Sequence, residues 1–527
     1  MKVIFLILSS LICLSLTAKD RETMTANELV NDMGLGWNLG NTFDCFGDWK
    51  EIKEPDDQIT MWGNAVPTEK MVISIQKHGF KTVRFPVTWM YFMDEKGAVK
   101  EEFMKRVKEV VDWIYESDMY VILNIHHDGV SGNWLSKGAS VLDKYKALWK
   151  SIANEFKTYD RRLILESMNE VEYKKGDVYD FKTLNTLTQA FVDVVRASGG
   201  NNENRLLLIS GANTNLEQTC SDGYLMPTDK AKMLAISIHY YLPPQFAVES
   251  DKNPWTWTDE TGKVHEITPM TKWGTEADYK EMASNFESMK TKYTSKGIPV
   301  ILGEVGVLTE EKKDPDSIRE YLTAEYSFSA DYDGIMSCLW DTSKNTAGDM
   351  NFFNRETGRW YDEKLQNNLN DIANGKYVHP TKFYIESNSQ TADNVDGDGN
   401  LQINIGTKKV KSIIFNANIE GTIYECGFGV ASSGDDGKWF GDPISGADGV
   451  KQDDGSYTFT VAPSSMSGNL HEYIQVQRWW GNEQISLNYV TIVFEGTAMT
   501  IDYKAYQAAF KHSNKIILSK ILVLDKS

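Results

Sequence analysis

Eight short apolar runs punctuate the chain between Thr25 and Gly375, at intervals that few architectures can absorb. They are 34–41 (GLGWNLGN), 82–87 (TVRFPV), 120–127 (YVILNIHH), 162–170 (RLILESMNE), 206–211 (LLLISG), 234–241 (LAISIHYY), 298–306 (IPVILGEVG) and 336–342 (MSCLWDT). Each is short enough for a strand buried on both faces. Between them lie stretches of helical periodicity, such as PTEKMVISIQKHG with its Gly79 stop and KEEFMKRVKEVVDWIYESD. Eight strand–helix units read as a (β/α)8 TIM barrel with extended loops. A doubly wound open sheet is the rival. It does not normally need eight strands, and no glycine-rich phosphate loop follows the first run.

The pattern changes after Gly375. Past a short YVHPTK linker only strand-like runs remain, separated by turn clusters such as SSGDDG (432–437) and SGADG (445–449). This reads as an all-β sandwich of about 120 residues. The expected organisation is a signal peptide at 1–18, the barrel at 25–376, the sandwich at 381–503 and a tail at 504–527 with no clear reading. Asp396, Asp398 and Asn400 begin like a calcium loop. The glycine and glutamate that would complete one are missing, so a hairpin turn is expected.

A formal charge of −19 argues against nucleic acid and anionic membranes as partners, since both need clustered Lys and Arg. Lys2 followed by an apolar stretch from Val3 to Leu16 has the form of a secretory signal, with cleavage after Ala18. That stretch is shorter than the ~20 residues a membrane span needs. The mature protein is therefore expected to be secreted, and it is read as a monomer. Of the five cysteines, Cys13 would leave with the signal. Cys45, Cys220, Cys338 and Cys426 permit one disulfide without selecting a pair.

Barrel enzymes place their chemistry at the C-terminal ends of the strands. Here those ends carry Arg84, the run His126-His127-Asp128, the pair Asn169-Glu170, His239 and Tyr241, Glu304 and Trp340. Two carboxylates in one bowl suggest glycoside hydrolysis, with one carboxyl protonated and the other ionised. Arg84 and Tyr241 could keep one ionised, while the other would need a less cationic setting that raises its pKa. A metal centre built from His126, His127, Asp128, His239 and Glu304 is the rival, but no HExxH pair supports it. Trp255, Trp257 and Trp273, in the loop after the sixth run, are either loop anchors or sugar platforms. In the C-terminal region Trp439, Trp479, Trp480 and Tyr473 are the candidate glycan-binding aromatics. Adjacent Trp479 and Trp480 must face opposite sides of a strand.

GWNLGN, VRFPVTW, LNIHHD, SMNE, IHYY, GEVG and CLWDT, in this order and spacing, resemble glycoside hydrolase family five. The resemblance covers about residues 27–375 and is closest to the cellulase, lichenase and xyloglucanase group. It implies a retaining endo-β-1,4-glucanase that needs no cofactor and acts on β-glucan polysaccharide. By it Glu170 is the acid/base and Glu304 the nucleophile, with their carboxyls ~5 Å apart. Asn169 would bind the sugar 2-hydroxyl, and Arg84 and Tyr241 would orient Glu304. His126 and His239 would line the same subsite, Trp340 would be a sugar platform, and Trp37, Asn38 and His127 would complete the binding set. Related alternatives are a xyloglucanase, lichenase or mannanase on the same fold, or a catalytically silent glycan-binding protein. The sandwich is expected to bind carbohydrate, with a spacer role as the alternative.

Overall fold

The computed structural model describes residues 21–375 except 176–177, 251–255, 259–262, 311 and 344–348. Beyond 375 it describes 383–384, 401–404, 410–425, 427–433, 439–452, 455–461, 471–480, 484–494 and 497–502. The signal segment, the calcium-like turn and the tail lie outside the described residues.

All eight runs form strands of one closed parallel barrel: β1 (Gly36–Asn38), β2 (Thr82–Phe85), β3 (Tyr120–Asn124), β4 (Leu163–Glu166), β5 (Leu207–Ser210), β6 (Leu234–Tyr240), β7 (Val300–Val305) and β8 (Ile335–Leu339). Each strand pairs with its sequence neighbours, and β8 closes onto β1. The strands are shorter than the apolar runs. β4 ends at Glu166 and β3 at Asn124, so Asn169-Glu170 and His126-His127 sit on the loops that follow.

Amphipathic helices wrap the barrel. In Glu101–Glu116 the buried residues Phe103, Val107, Val110, Val111 and Ile114 recur at helical spacing and face the strands. Helix Glu69–Lys77 starts where the Thr68 side chain accepts the Met71 N–H, and it ends before Gly79 at φ +94°. Strand alternation then sorts the core. Val121, Leu123, Leu163, Leu165, Ile236, Ile238, Val300 and Leu302 point at the helices. Ile122, Ile164, Leu208, Ala235, Ile301 and Met336 fill the barrel's lower interior, which helix Ala26–Asp32 closes with Leu29 and Val30. Above that apolar plug the interior turns polar, and the site sits there.

Beyond the barrel, strands pair antiparallel in two sheets. Phe415 and Phe459 on one sheet meet Phe428 on the other at ring distances of 5.0 and 4.8 Å, and all three are fully buried. That contact makes the two sheets a sandwich. Trp480 is 41% exposed over Gly427, where an added Cβ would come within 1.9 Å of the indole.

Candidate active site

Arg84, on β2 with no exposed side-chain surface, is the hub of the polar layer. Its Nη1 donates to Glu304 Oε1 at 2.8 Å and to Asn38 Oδ1 at 3.1 Å. Its Nη2 donates to Asn169 Oδ1 at 2.8 Å, and Nε and Nη2 grip Glu166 at 2.7 and 3.2 Å. Burial works against the guanidinium charge, but Glu166 and Glu304 more than offset it, so Arg84 stays cationic. Ser237 on β6 donates to Glu166 Oε1 at 2.9 Å and completes the lower tier.

Glu304 is aimed by an irregularity in β7. The register of β7 with both neighbours shifts just after Leu302, as a bulge does. Gly303 lies in that shift, and a Cβ there would sit 3.1 Å from His239 Nε2 and Ser237 Oγ and 3.3 Å from Arg84 Nε. A side chain there would press on all three by a few tenths of an ångström, and Glu304 emerges beside His239 in register. Tyr241 donates to Glu304 Oε2 at 3.0 Å, opposite Arg84. Burial, then Glu304 and Glu170, push the Tyr241 hydroxyl well above its usual pKa, so it remains a donor.

Glu170 reaches the bowl from the β4 loop, with its side chain 43% exposed. Its Oε1 lies 2.6 Å from His239 Nδ1, and the same nitrogen is 3.5 Å from Glu304 Oε2. One ligand-type atom from each of Glu170, His239 and Glu304 falls within 4.8 Å of the others. The electrostatics of Glu170 differ from the sequence expectation. Burial pushes its carboxyl up, but the charge and hydrogen bond of His239 outweigh that and hold it below the ordinary value. His127 and Arg84 act in the same direction. The raised carboxyl expected of the acid is thus not found at Glu170, because His239 lies 2.6 Å away, closer than the sequence could show.

Hydrogen bonds fix the two remaining histidines. Asn124 Oδ1 accepts the Val87 N–H at 3.1 Å, so its Nδ2 must donate to His126 Nδ1, at 3.1 Å. The His126 Nε2–H then points toward Glu304 Oε1, 3.8 Å away. Burial, with help from His127, Arg84 and His239, holds His126 well below its ordinary pKa and keeps it neutral. His127 Nδ1 donates to the Asp44 carbonyl at 2.6 Å, and its partly exposed ring meets Phe46 at 4.7 Å and Trp62 at 5.5 Å. Trp340 lies parallel to His126 at 5.7 Å and remains partly exposed.

The structure therefore gathers Arg84, His126, Asn169, Glu170, His239, Tyr241, Glu304 and Trp340 around one bowl, with His127 at its rim. Two expected binding residues do not face it. Trp37 points outward into the helix layer, 1% exposed, against Phe353 and under the Arg355 guanidinium. Asn38 points inward but lies below the bowl, fully buried, with its Nδ2 donating to the Gly303 and Cys338 carbonyls at 2.9 and 3.2 Å. Both are structural: Trp37 packs against Phe353 and Arg355, and the Asn38 amide is taken up by Arg84 and the Gly303 and Cys338 carbonyls.

Trp273 is also buried, at 4.6 Å from Tyr279, and anchors its loop. Trp255 and the side chain of Trp257 lie outside the described residues. Glu166, Ser237, Gly303 and Asn124 escaped the sequence reading; the only signal was a charge inside the apolar run LILES.

Among the described residues, two sets of side chains have the composition to hold a metal ion: Glu170, His239 and Glu304, and Asp44, His126 and His127. Asp128, expected among such ligands, accepts the Trp89 N–H at 2.8 Å and the Trp134 Nε1–H at 2.6 Å and braces the rim instead. Among the described cysteines, Cys220 and Cys338 are free thiols.

A family model described as Cellulase (glycosyl hydrolase family 5) matches residues 41–346. Endoglucanase A of Paenibacillus barcinonensis is 33% identical over 364 residues, covering 64% of this chain and 88% of that one. A solved broad-specificity endoglucanase from an uncultured bovine rumen ciliate is 74% identical, covers 68% of this chain and 100% of that chain, and superposes with a TM-score of 0.66. A xyloglucanase from Paenibacillus pabuli, solved with a ligand, is 31% identical, covers 66% of this chain and 99% of that chain, and gives a TM-score of 0.57.

Proposed function

The chain belongs to glycosyl hydrolase family 5, and from that premise we propose a secreted endo-β-1,4-glucanase that retains anomeric configuration. It is a glycoside hydrolase of the endoglucanase type, acting on β-glucan chains. The retaining course rests on one observation. Oxygens of Glu170 and Glu304 lie within 4.8 Å, which fits the ~5 Å carboxyl spacing of retaining pairs better than the ~6.5–9.5 Å that inverting pairs need to seat a water beside the sugar.

In this reading Glu304 attacks the anomeric carbon while Arg84 and Tyr241 hold its two oxygens. Glu170 gives a proton to the leaving oxygen, and the sugar is left esterified to Glu304. Glu170 then takes a proton from water, and the water releases the sugar. His239 holds Glu170 low. A sugar filling the bowl deepens the burial that already pushes Glu170 up, which favours the acid form when the first step needs it. Esterifying Glu304 then removes a negative charge within 4.8 Å, which favours the base form for the second step. Asn169 Oδ1 accepts from Arg84 Nη2, so its amide N–H faces away from Arg84 and suits a sugar hydroxyl. Following the anomer of freshly released product by proton NMR tests this. An initial β-anomer is expected, and an initial α-anomer would overturn the retaining course.

The relatives span broad-specificity endoglucanases and a xyloglucanase, so we read the cleft as tolerant of more than one β-glucan. Carboxymethylcellulose, mixed-linkage glucan, xyloglucan and mannan assayed together rank the substrates. Secretion is proposed from the Met1–Ala18 segment, and the amino terminus of the exported protein should then be Lys19. Glycan binding by the sandwich is proposed from Trp480 exposed over Gly427.

A further inference from the structure

Glu170 lies past the end of its strand, so the barrel ladder does not aim it. It is the middle residue of a three-residue turn, in which the Val171 N–H donates to the Asn169 carbonyl at 2.9 Å. A residue at such an apex takes its direction from its two flanks. The Asn169 flank is tied to the barrel. Its N–H donates to the Ile125 carbonyl at 2.8 Å, and its carbonyl accepts the Ser210 hydroxyl at 2.9 Å.

The Val171 flank is held by packing. Val171 is 1% exposed and lies on Gly129, in the loop after β3. A Cβ at Gly129 would come within 2.2 Å of Val171 Cγ2 and 3.3 Å of Val171 Cβ and Cγ1. Packed carbons rest roughly 3.5–4.0 Å apart, so the valine occupies the space a side chain would need. The φ of Gly129 lies outside the left-handed region, so the backbone itself would accept other residues. It is Val171 that demands the bare Cα.

Gly129 is fixed in turn. It ends the short turn His127–Gly129, in which the His127 N–H donates to Thr88 Oγ1 at 3.0 Å and Asp128 accepts the Trp89 N–H at 2.8 Å. Both partners follow β2, so two barrel loops build the floor beneath Val171. Two residues past Val171, the Tyr173 hydroxyl donates to the Leu135 carbonyl at 3.0 Å and ties the β4 loop to the β3 loop again. A reacting group has to be held within about half an ångström of its working position, by neighbours that are themselves locked.

We propose that Gly129 and Val171 are positioning residues for Glu170, the valine seated on the bare Cα setting how far the carboxyl reaches toward the leaving oxygen. The inference rests on the acid/base role read for Glu170 above. A methyl at position 129 would push Val171 away and turn the apex of the loop with it. Arg84 on β2 and Glu304 on β7 stand on other elements, so the damage should fall on proton transfer rather than on nucleophilic attack.

The test uses the full chain with Gly129→Ala, with Val171→Ala and with both changes together, on a phenyl and a dinitrophenyl β-cellobioside. Phenoxide leaves poorly and needs the proton, whereas dinitrophenoxide leaves without it. Gly129→Ala should lower kcat/KM about tenfold to a hundredfold on the phenyl substrate and less than about threefold on the dinitrophenyl one. The combined change clears the clash and should recover most of the loss. Val171→Ala alone loosens the same contact and should show the same leaving-group dependence in milder form, which keeps the test open if Gly129→Ala does not fold. Losses of equal size on the two substrates, no loss on either, or a combined variant no better than Gly129→Ala would overturn the proposal. Glu170→Gln in the same assay separates the two readings. If it too loses equally on both substrates, the acid/base role fails and the proposal with it. If it spares the dinitrophenyl substrate in kcat/KM while Gly129→Ala does not, the positioning alone fails.

Discussion

Glu166 holds two of the three nitrogens of the Arg84 guanidinium, and neither side chain has any exposed surface. The third nitrogen serves Glu304. One buried cation is therefore shared between a carboxylate proposed to react and one that cannot reach a substrate. Glu166 acts through Arg84: it sets the guanidinium plane and draws off part of its charge. Glu166→Gln should leave Arg84 facing Glu304 alone and weaken Glu304 as a nucleophile. Turnover should fall about tenfold to a hundredfold, ~1.4–2.7 kcal/mol, with KM little changed. Losing one partner of a buried pair also lowers the melting temperature. Steady-state kinetics beside a thermal melt separates the effects, since a purely structural role would move the melt and leave kcat alone.

Glu304 and Glu170 should differ in how they fail. Glu304→Gln keeps the shape but removes the attacking charge, and turnover should fall about ten-thousandfold or more on every substrate. Glu170→Gln withholds the proton from the leaving group, so it should be crippling on polysaccharide. An activated aryl glycoside needs no such proton. With it the first step survives, the second becomes limiting, and KM falls as the glycosyl-enzyme accumulates. Pre-steady-state release of the aryl group checks this, and the absence of a burst would count against Glu170 as acid/base.

His239 lowers the Glu170 carboxyl through charge and a hydrogen bond, against the burial that raises it. His239→Gln removes the charge, burial then dominates, and Glu170 should titrate at higher pH. The free enzyme must carry a proton on its acid, so the basic limb of kcat/KM should move to higher pH while the maximal rate falls. A pH–rate profile of the variant checks this, and a basic limb that stays in place would show that another group controls it.

The barrel was legible because eight apolar runs at barrel spacing leave little choice of topology. Most of the bowl was legible too, since a polar residue at the end of an apolar run is conspicuous. Glu166 was not, because it sits inside such a run, and only the three-way geometry of Arg84 shows why a charge belongs there. Trp37 and Asn38 were misplaced for a related reason. On a strand buried on both faces, periodicity does not say which side chain looks into the barrel, or how deep it lies. The Glu170–His239 contact joins residues 69 positions apart, and no local pattern encodes it.

Glu325 offers a stability test remote from the chemistry. It lies in helix Pro315–Asp331, fully buried, and accepts the Ser337 and Ser329 hydroxyls at 2.6 and 3.1 Å on one oxygen. Burial pushes its carboxyl from 4.5 to about 8, and the two serines only partly oppose this. The raised value means that the folded state holds its proton more tightly than the unfolded chain. The stability from this group is thus fully present below about pH 4.5 and is lost as pH rises through about 8. The integrated loss is on the order of 5 kcal/mol. Glu325→Gln cannot ionise, so it should lack this decline. Its denaturation free energy should match or fall slightly below the native chain's near pH 5 and exceed it by a few kcal/mol at pH 9. Turnover at neutral pH should be unchanged, because the native side chain is already neutral there. Chemical denaturation at the two pH values checks the prediction, and parallel stability profiles would show that Glu325 does not titrate in this range.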